Sequence, residues 1–192
     1  FCLCLLITSV SVVAQEKENK GFRLKTDSVF APAAPPNIDQ CANGTTPATV
    51  CTGGNWQNGN LNENNSSYVE GQSVPYRIKF SDLTANSTGN TITVEYDTTE
   101  NGRHTLDYLT SFNRSETDAD PCSGVTGCNL AVFSDFPIPL DPNFSAACPT
   151  CTQAPGNFRL YGGTITGVSA YTLSGTYAGT SQTSITVTFN AG

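Results

Sequence analysis

The chain has 192 residues, of which 13% are charged, and its formal net charge is −7. Its nine Lys and Arg residues are scattered singly. This composition excludes nucleic acids and anionic membrane surfaces as expected partners, because both require clustered positive charge.

The chain begins with an uncharged apolar run, Phe1 to Ala14, which the polar sequence QEKENK follows at once. The run is typical of the hydrophobic region of a secretory signal peptide, and Val12 and Ala14 are the small residues of a cleavage site before Gln15. It is shorter than the roughly 20 apolar residues that cross a bilayer. We therefore expect residues 1–14 to be an N-terminally truncated signal peptide. The mature protein is expected to be secreted or held at the cell surface, with no membrane insertion.

Residues 15–40 are predicted to form a leader. It contains one strand-like segment, Gly21–Phe30, and an extended Pro-rich linker, Ala31–Pro36. Residues 41–192 are predicted to form a single β-sandwich domain. Its last strand-like segment ends just before the final residue, Gly192, which suggests a domain truncated at its C-terminus.

Short segments with alternating apolar residues follow from Val74 onward, and the turn residues Asn86–Asn90 and Glu100–Gly102 separate them and are typical of hairpins. No segment predicts a helix of three turns. This pattern predicts an all-β fold, an antiparallel β-sandwich of immunoglobulin-like type with long disulfide-stapled loops. The predicted core comprises Ile78, Phe80, Ile92, Val94, Leu106, Leu160, Ile165, Val168, Ile185 and Val187.

A long irregular segment, 113–153, interrupts the strands and contains the apolar run Leu130–Phe133. It carries four of the six cysteines that remain after the apolar run: Cys41, Cys51, Cys122, Cys128, Cys148 and Cys151. An even number of cysteines in an exported protein indicates disulfides, and six cysteines allow 15 connectivities. The spacing favours three local pairs in chain order, because each pair closes one loop between predicted strands.

The pair Cys148 and Cys151 also has the spacing of a redox or zinc motif. A redox site needs a following helix, which the segment Gln153–Asn157 breaks, and a zinc site needs further ligands where His104 is the only histidine. We therefore interpret this pair as a structural disulfide.

Catalysis has one candidate base, His104, with Asp107 three residues later. Residues i and i+3 of a strand point to opposite faces, so we expect no local pairing of the two side chains. No nucleophile elbow, zinc-protease, phosphate-binding or dinucleotide motif is present. The sequence therefore predicts a protein that is not an enzyme.

Three carboxylates at alternate positions, Glu116, Asp118 and Asp120, form a candidate calcium site. The segment lacks the glycine and the distal glutamate of an EF-hand loop, and a solvated acidic turn is the alternative interpretation. No other cofactor is expected.

A sugar site needs an exposed aromatic ring beside amide groups, and Trp56 with Asn58 and Asn60 has that composition. The tyrosines at 161, 171 and 177 form a second aromatic group of this kind. A single tryptophan in a small sandwich is alternatively a core or loop-covering residue. Arg77 is expected to form cross-strand ion pairs with nearby acidic residues, which contribute well under about 1 kcal/mol each if they are exposed.

Seven segments of the chain form a recognisable series: Trp56–Asn62, Glu70–Arg77, Glu95–Thr99, His104–Thr110, Asp120–Cys128, Phe136–Pro139 and Tyr161–Tyr171. Together they resemble a module found in large, mostly uncharacterised secreted or surface proteins of bacteria. The resemblance begins near Cys41 and implies neighbouring β-sandwich domains and an adhesin-like setting, without any established chemistry.

Two functions follow as hypotheses. The first is a non-enzymatic structural or adhesive module of a larger bacterial surface or secreted protein, which presents loops 53–65 and 113–153 to an extracellular protein or glycan. The alternative is a carbohydrate-binding module, calcium-assisted, that is appended to a catalytic domain outside this sequence.

Overall fold

The computed structural model of the chain describes residues 3–11, 22–25, 36–45, 49–81 and 83–192. Residues 3–11 and 22–25 are described as backbone strands. Within these ranges the chain forms antiparallel strands, one short 3-10 helix (Gly53–Asn55) and one α-helix of six residues (α1, Pro142–Ala147). The prediction of an antiparallel all-β protein is confirmed.

The larger sheet has seven strands, in the order β4-β3-β5-β1-β10-β9, and β8 also pairs with β1. Its strands are β1 (Leu3–Ser11), β3 (Asn37–Cys41), β4 (Trp56–Gln57), β5 (Ser73–Phe80), β8 (Leu106–Thr110), β9 (Phe133–Pro137) and β10 (Asn157–Tyr161).

The smaller sheet has six strands, in the order β11-β13-β6-β2, with β12 paired to β13 and β7 paired to β6. Its strands are β2 (Phe22–Lys25), β6 (Asn90–Glu100), β7 (Arg103–His104), β11 (Gly163–Val168), β12 (Thr172–Gly175) and β13 (Ser181–Ala191).

The turn between β6 and β7 has the chemistry that the sequence predicts. Glu100 pairs with Arg103 across a two-residue loop, so Asn101 and Gly102 are the central residues. Both have positive φ, 52° and 75°. A two-residue hairpin of this kind matches the twist of its strands, and Asn-Gly tolerates the left-handed conformation best.

Residues from both sheets belong to one buried cluster, which is the main core. Nine of the ten predicted core residues are buried, and the tenth, Val168, is partly buried against this cluster. The strands β6 and β13 explain why: alternate residues on each strand are buried, as expected where one face of a sheet is covered.

The predicted domain boundary at Cys41 is too late in the chain. The strands β1, β2 and β3 all precede or end at Cys41, and they pair with β5, β6, β8 and β10. Sequence analysis missed β3, and β2 lies within the predicted segment Gly21–Phe30.

The predicted Pro-rich linker lies outside the described residues except for Pro36. Cleavage before Gln15 stays a prediction, because removal of residues 1–14 is a matter of processing.

The segment 113–153 is more ordered than the sequence predicts, since it contains β9 and α1. The carboxylate of Asp141 caps α1 by accepting a hydrogen bond from the Asn143 backbone nitrogen at 2.8 Å. Ile138 and Phe144 are buried. The three predicted disulfides, Cys41–Cys51, Cys122–Cys128 and Cys148–Cys151, are confirmed.

Among the residues that the structure describes, there is no helix long and apolar enough to cross a membrane.

Gly156 joins the end of segment 113–153 to the larger sheet, and a side chain cannot be added there. A Cβ at this position would lie 2.7 Å from the Thr110 Cα and still closer to the Ser111 backbone nitrogen. We expect Gly156→Ala to lower the free energy of unfolding by about 1–3 kcal/mol or more, because rigid backbone must move.

Gly167, on β11, is the matched control, because a Cβ there meets no atom within 4 Å. Gly167→Ala should change the free energy of unfolding by less than about 1 kcal/mol. Urea denaturation of both variants measures the difference, and equal losses would contradict the close approach at Gly156.

Candidate functional site

A buried arginine connects two strands of the larger sheet to segment 113–153. Arg77 on β5 lies directly opposite Asp39 on β3, and its Nε and Nη2 are both 2.8 Å from Asp39 Oδ2. The Arg77 Nη1 donates to the carbonyl oxygens of Pro121 (3.0 Å) and Ser123 (2.6 Å) in segment 113–153. The Lys79 Nζ also lies 2.8 Å from Asp39 Oδ2. This ion pair therefore fastens the irregular segment to the sheet.

Arg77 does form a cross-strand ion pair, but its partner is Asp39, and the two side chains are buried, only 4% and 3% exposed. Sequence analysis missed Asp39 because it lies in the predicted leader. A signal was present: Asp39 is the only charged residue between Asp27 and Glu63. A lone carboxylate in so long an uncharged stretch is typical of a residue with a dedicated partner.

Trp56 lies beneath this arginine and is not an exposed platform. The Arg77 guanidinium carbon is 4.7 Å from the ring centroid, and the Trp56 Nε1 donates to the Asp120 carbonyl oxygen at 2.8 Å. The side chain is 7% exposed. Its proposed stacking role against a sugar is therefore wrong. The predicted group of tyrosines is also divided, because Tyr161 packs beside Trp56 whereas Tyr171 packs against the main core.

We expect Asp39→Asn to lower the free energy of unfolding by about 3–5 kcal/mol, because it leaves the buried Arg77 charge without its counter-ion. Asp135→Asn is the matched control. Asp135 pairs with Arg159 at 2.7 Å, but the two side chains are 31% and 25% exposed. The control should cost about 0–1 kcal/mol. Urea denaturation compares them, and similar losses would show that the Arg77 pair is not a special constraint.

The three candidate calcium ligands do not converge. Glu116 Oε1 accepts a hydrogen bond from Asn43 Nδ2 at 2.8 Å, and Asp120 Oδ1 accepts one from the Cys122 backbone nitrogen at 2.9 Å. Asp118 is exposed. Within the described part of the chain, no three His, Cys, Asp or Glu side chains are close enough to hold a metal ion. The acidic-turn interpretation fits this geometry, and the calcium site stays a prediction without a converging set of ligands.

His104 and Asp107 do pair, contrary to prediction. The His104 Nδ1 lies 3.1 Å from Asp107 Oδ1. Thr105 lies between β7 and β8 and belongs to neither strand. The alternation of side chains along a strand therefore does not extend from His104 to Asp107, and both side chains lie on the same side. The Tyr177 ring lies 6.0 Å from the His104 ring, measured between centroids.

Burial raises the pKa of the Asp107 carboxyl, and the hydrogen bond from His104 opposes that effect. A raised native pKa means that the folded state holds the proton more tightly than the unfolded state, where Asp titrates near 3.8. The resulting contribution to stability is complete below pH 3.8 and is lost as the pH rises through the native pKa.

We therefore expect the stability advantage of the native protein over Asp107→Asn to shrink as the pH rises from below 3.8 towards neutrality. Urea denaturation of both proteins across this range measures the advantage. Asp118→Asn, which removes the charge of an exposed carboxylate, is the control for that comparison. An advantage that grows with pH would mean that the charged Asp107, paired to His104, is the favoured native form.

A group of hydroxyls surrounds a second buried carboxylate at one end of the core. The Tyr96 hydroxyl donates to Asp141 Oδ2 at 3.3 Å. Burial, and then the Asp141 charge, raise the pKa of Tyr171, and they raise the pKa of Tyr177 to about 12. In the described part of the chain, the hydroxyls of Tyr171, Tyr177 and Thr183 are buried without a hydrogen-bond partner. These tyrosines remain protonated at neutral pH, so they are donors and not bases.

Asn58 and Asn60 border a small cavity of about 130 Å³ beside β3 and β4, and both side chains are exposed. The Asn58 Nδ2 donates to Asn37 Oδ1 at 2.6 Å, and the Gln40 Nε2 donates to the Gly59 carbonyl oxygen. The amides thus hydrogen-bond to one another around the cavity. The two predicted asparagines are together, but Trp56 does not line this cavity.

The clearest exposed apolar feature is residues 130–140, which comprise β9 and the connections on either side of it. Among the described residues, six large hydrophobic side chains are exposed, and four of them lie in this short stretch. We name these four the β9 strip: Leu130 (47% exposed), Val132 (61%), Phe133 (46%) and Leu140 (60%). Clustered exposed apolar residues are typical of binding surfaces. The sequence signal was the apolar run Leu130–Phe133.

The strip stands on a rigid support. β9 pairs with β10 along all five of its residues. The Arg159 guanidinium, held by Asp135, covers one face of Phe133 at 3.8 Å from the ring centroid. The hydrogen bond to Asp135 raises the pKa of Arg159, so this cation stays charged. Phe133, the residue of the strip that lies on β9, is therefore held in a fixed position.

No protein-family model, no curated protein and no protein of known structure matches this chain. Its function must accordingly be inferred from the geometry of its own surfaces.

Proposed function

We propose that this chain is a non-enzymatic extracellular binding module of a larger bacterial surface or secreted protein. The β9 strip is the contact surface, and the partner is an extracellular protein. The carrying observation is that four of the six exposed large hydrophobic side chains among the described residues lie within residues 130–140, on β9 and on the two connections that flank it.

The proposed fold is a β-sandwich of immunoglobulin-like type. It is supported by the shared core, in which Phe80 of the larger sheet and Phe189 of the smaller sheet pack with ring centroids 5.3 Å apart. Such a sandwich holds its connecting segments at fixed positions, which suits a protein that binds through them.

The extracellular setting is supported by the three disulfides, because disulfides persist in oxidising compartments. Two of them lie in segment 113–153, on either side of β9. They limit the freedom of the connections that flank the strip, and so reduce the entropy lost when a partner binds. The resemblance to modules of bacterial surface proteins agrees with this setting.

The two equally exposed valines, Val132 in the strip and Val69 outside it, test the proposal because each is 61% exposed. We expect Val132→Asp to weaken binding about tenfold or more, since it places a charge against the partner's apolar surface. Val69→Asp should leave binding unchanged. Binding is measured against an immobilised panel of extracellular matrix proteins and a glycan array, with both variants first shown to melt like the native protein.

Equal effects of the two valine variants on a bound partner would contradict the β9 strip. Binding only to glycans, abolished by Asn60→Ala and unaffected by Asn64→Ala outside the cavity, would favour the carbohydrate-binding alternative instead.

A further inference from the structure

The strand β1 fills the centre of the larger sheet. On one side, Leu3 to Val10 pair antiparallel with β5 over eight residues. On the other side, β1 pairs with β10 and then with β8. In the order of the sheet, β1 alone stands between β5 and β10. This strand lies within the predicted signal peptide.

Removal of residues 1–14 would leave a slot that is one strand wide. Adjacent strands are about 4.8 Å apart, so β5 and β10 would stand about 9.6 Å from each other, too far to pair. Eight residues of strand span about 27 Å. Along that length, the backbone groups of β5 that face β1 would lose their hydrogen-bond partners, which is costly wherever water cannot replace them.

The walls of the slot specify two different faces for the strand that fills it. The register positions of Leu3, Leu5 and Ile7 lie opposite Phe80, Ile78 and Tyr76 of β5, which are all buried. This inner face requires apolar residues.

The outer face has a different chemistry. The register position of Leu6 lies between Arg77 of β5 and Arg159 of β10. Lys79 is the next position on the same face of β5 as the buried Arg77, and the only carboxylates paired with these three cations in the described residues are Asp39 and Asp135. The excess positive charge favours a polar or acidic residue at this position of the filling strand.

We propose that, in the processed protein, this slot binds an extended strand donated by a different polypeptide. The donated strand runs antiparallel to β5, carries apolar residues at the inner positions and accepts an acidic residue between Arg77 and Arg159. Main-chain hydrogen bonds then provide affinity, and the two faces provide specificity. The inference goes beyond the β9 strip, which lies on another strand, and it rests on the predicted cleavage before Gln15.

The first step of the test is to export the full chain from a bacterial host and to determine its mass. A protein that begins at Gln15 is expected. An exported protein that retains residues 1–14 would overturn the proposal, because β1 would then be a permanent strand.

The second step titrates the exported protein with a labelled peptide of residues 2–12. Saturable binding is expected. A Leu5→Glu peptide should bind about 100-fold more weakly, because it places a charge at the register position opposite the buried Ile78, whereas a Leu6→Glu peptide should bind at least as tightly as the original. Absence of binding, or equal losses for the two peptides, would overturn the proposal. A dimer that the peptide does not dissociate would assign the slot to a second copy of this chain and overturn the choice of partner.

A second experiment covers the case in which the processed chain does not fold without a strand in the slot. A protease site is placed in residues 15–20 of the full chain, which is folded, cut, unfolded in urea and refolded with excess labelled peptide. Uptake of the label with recovery of the native melting curve supports the proposal. Recovery of the native melting curve without uptake of the label would overturn the proposal, because the cut chain would then refold without taking the peptide into the slot.

Discussion

The buried pair of Arg77 and Asp39 is the constraint on which the rest of this structure depends. A guanidinium that is removed from water must satisfy its donors, and here it does so with Asp39 and with two carbonyl oxygens of segment 113–153. The arginine thereby joins β3, β5 and the irregular segment, and it covers the ring of Trp56. A chain with few charged residues uses one of them as a structural centre.

The same contacts explain why segment 113–153 is ordered although it is long and irregular. The Cys122–Cys128 and Cys148–Cys151 disulfides close two of its loops, and Arg77 and Trp56 hold the backbone of its residues 120–123. β9 lies between the two disulfides and pairs with β10 along its whole length. The proposed contact surface, the β9 strip, therefore belongs to a segment with little conformational freedom, so little conformational entropy remains to be lost on binding.

Two further carboxylates have specific partners within the fold. Asp141 caps α1 and accepts a hydrogen bond from Tyr96, and Asp107 pairs with His104, whose side chain is 41% exposed. Hydrogen bonds of this kind orient the segments that leave the sheets.

The sequence alone determined the local features: the strand alternation, the Asn101-Gly102 turn, nine buried core residues and the three disulfides. Each of these depends on residues that are close in the chain, so spacing and side-chain type suffice to predict it. Only the tertiary structure decided which residues meet across the fold. It paired Asp39 with Arg77 and buried Trp56. It also separated the three acidic residues of the predicted calcium site and placed β1 between β5 and β10. Those contacts join residues that are distant in sequence, and local periodicity carries no information about their register.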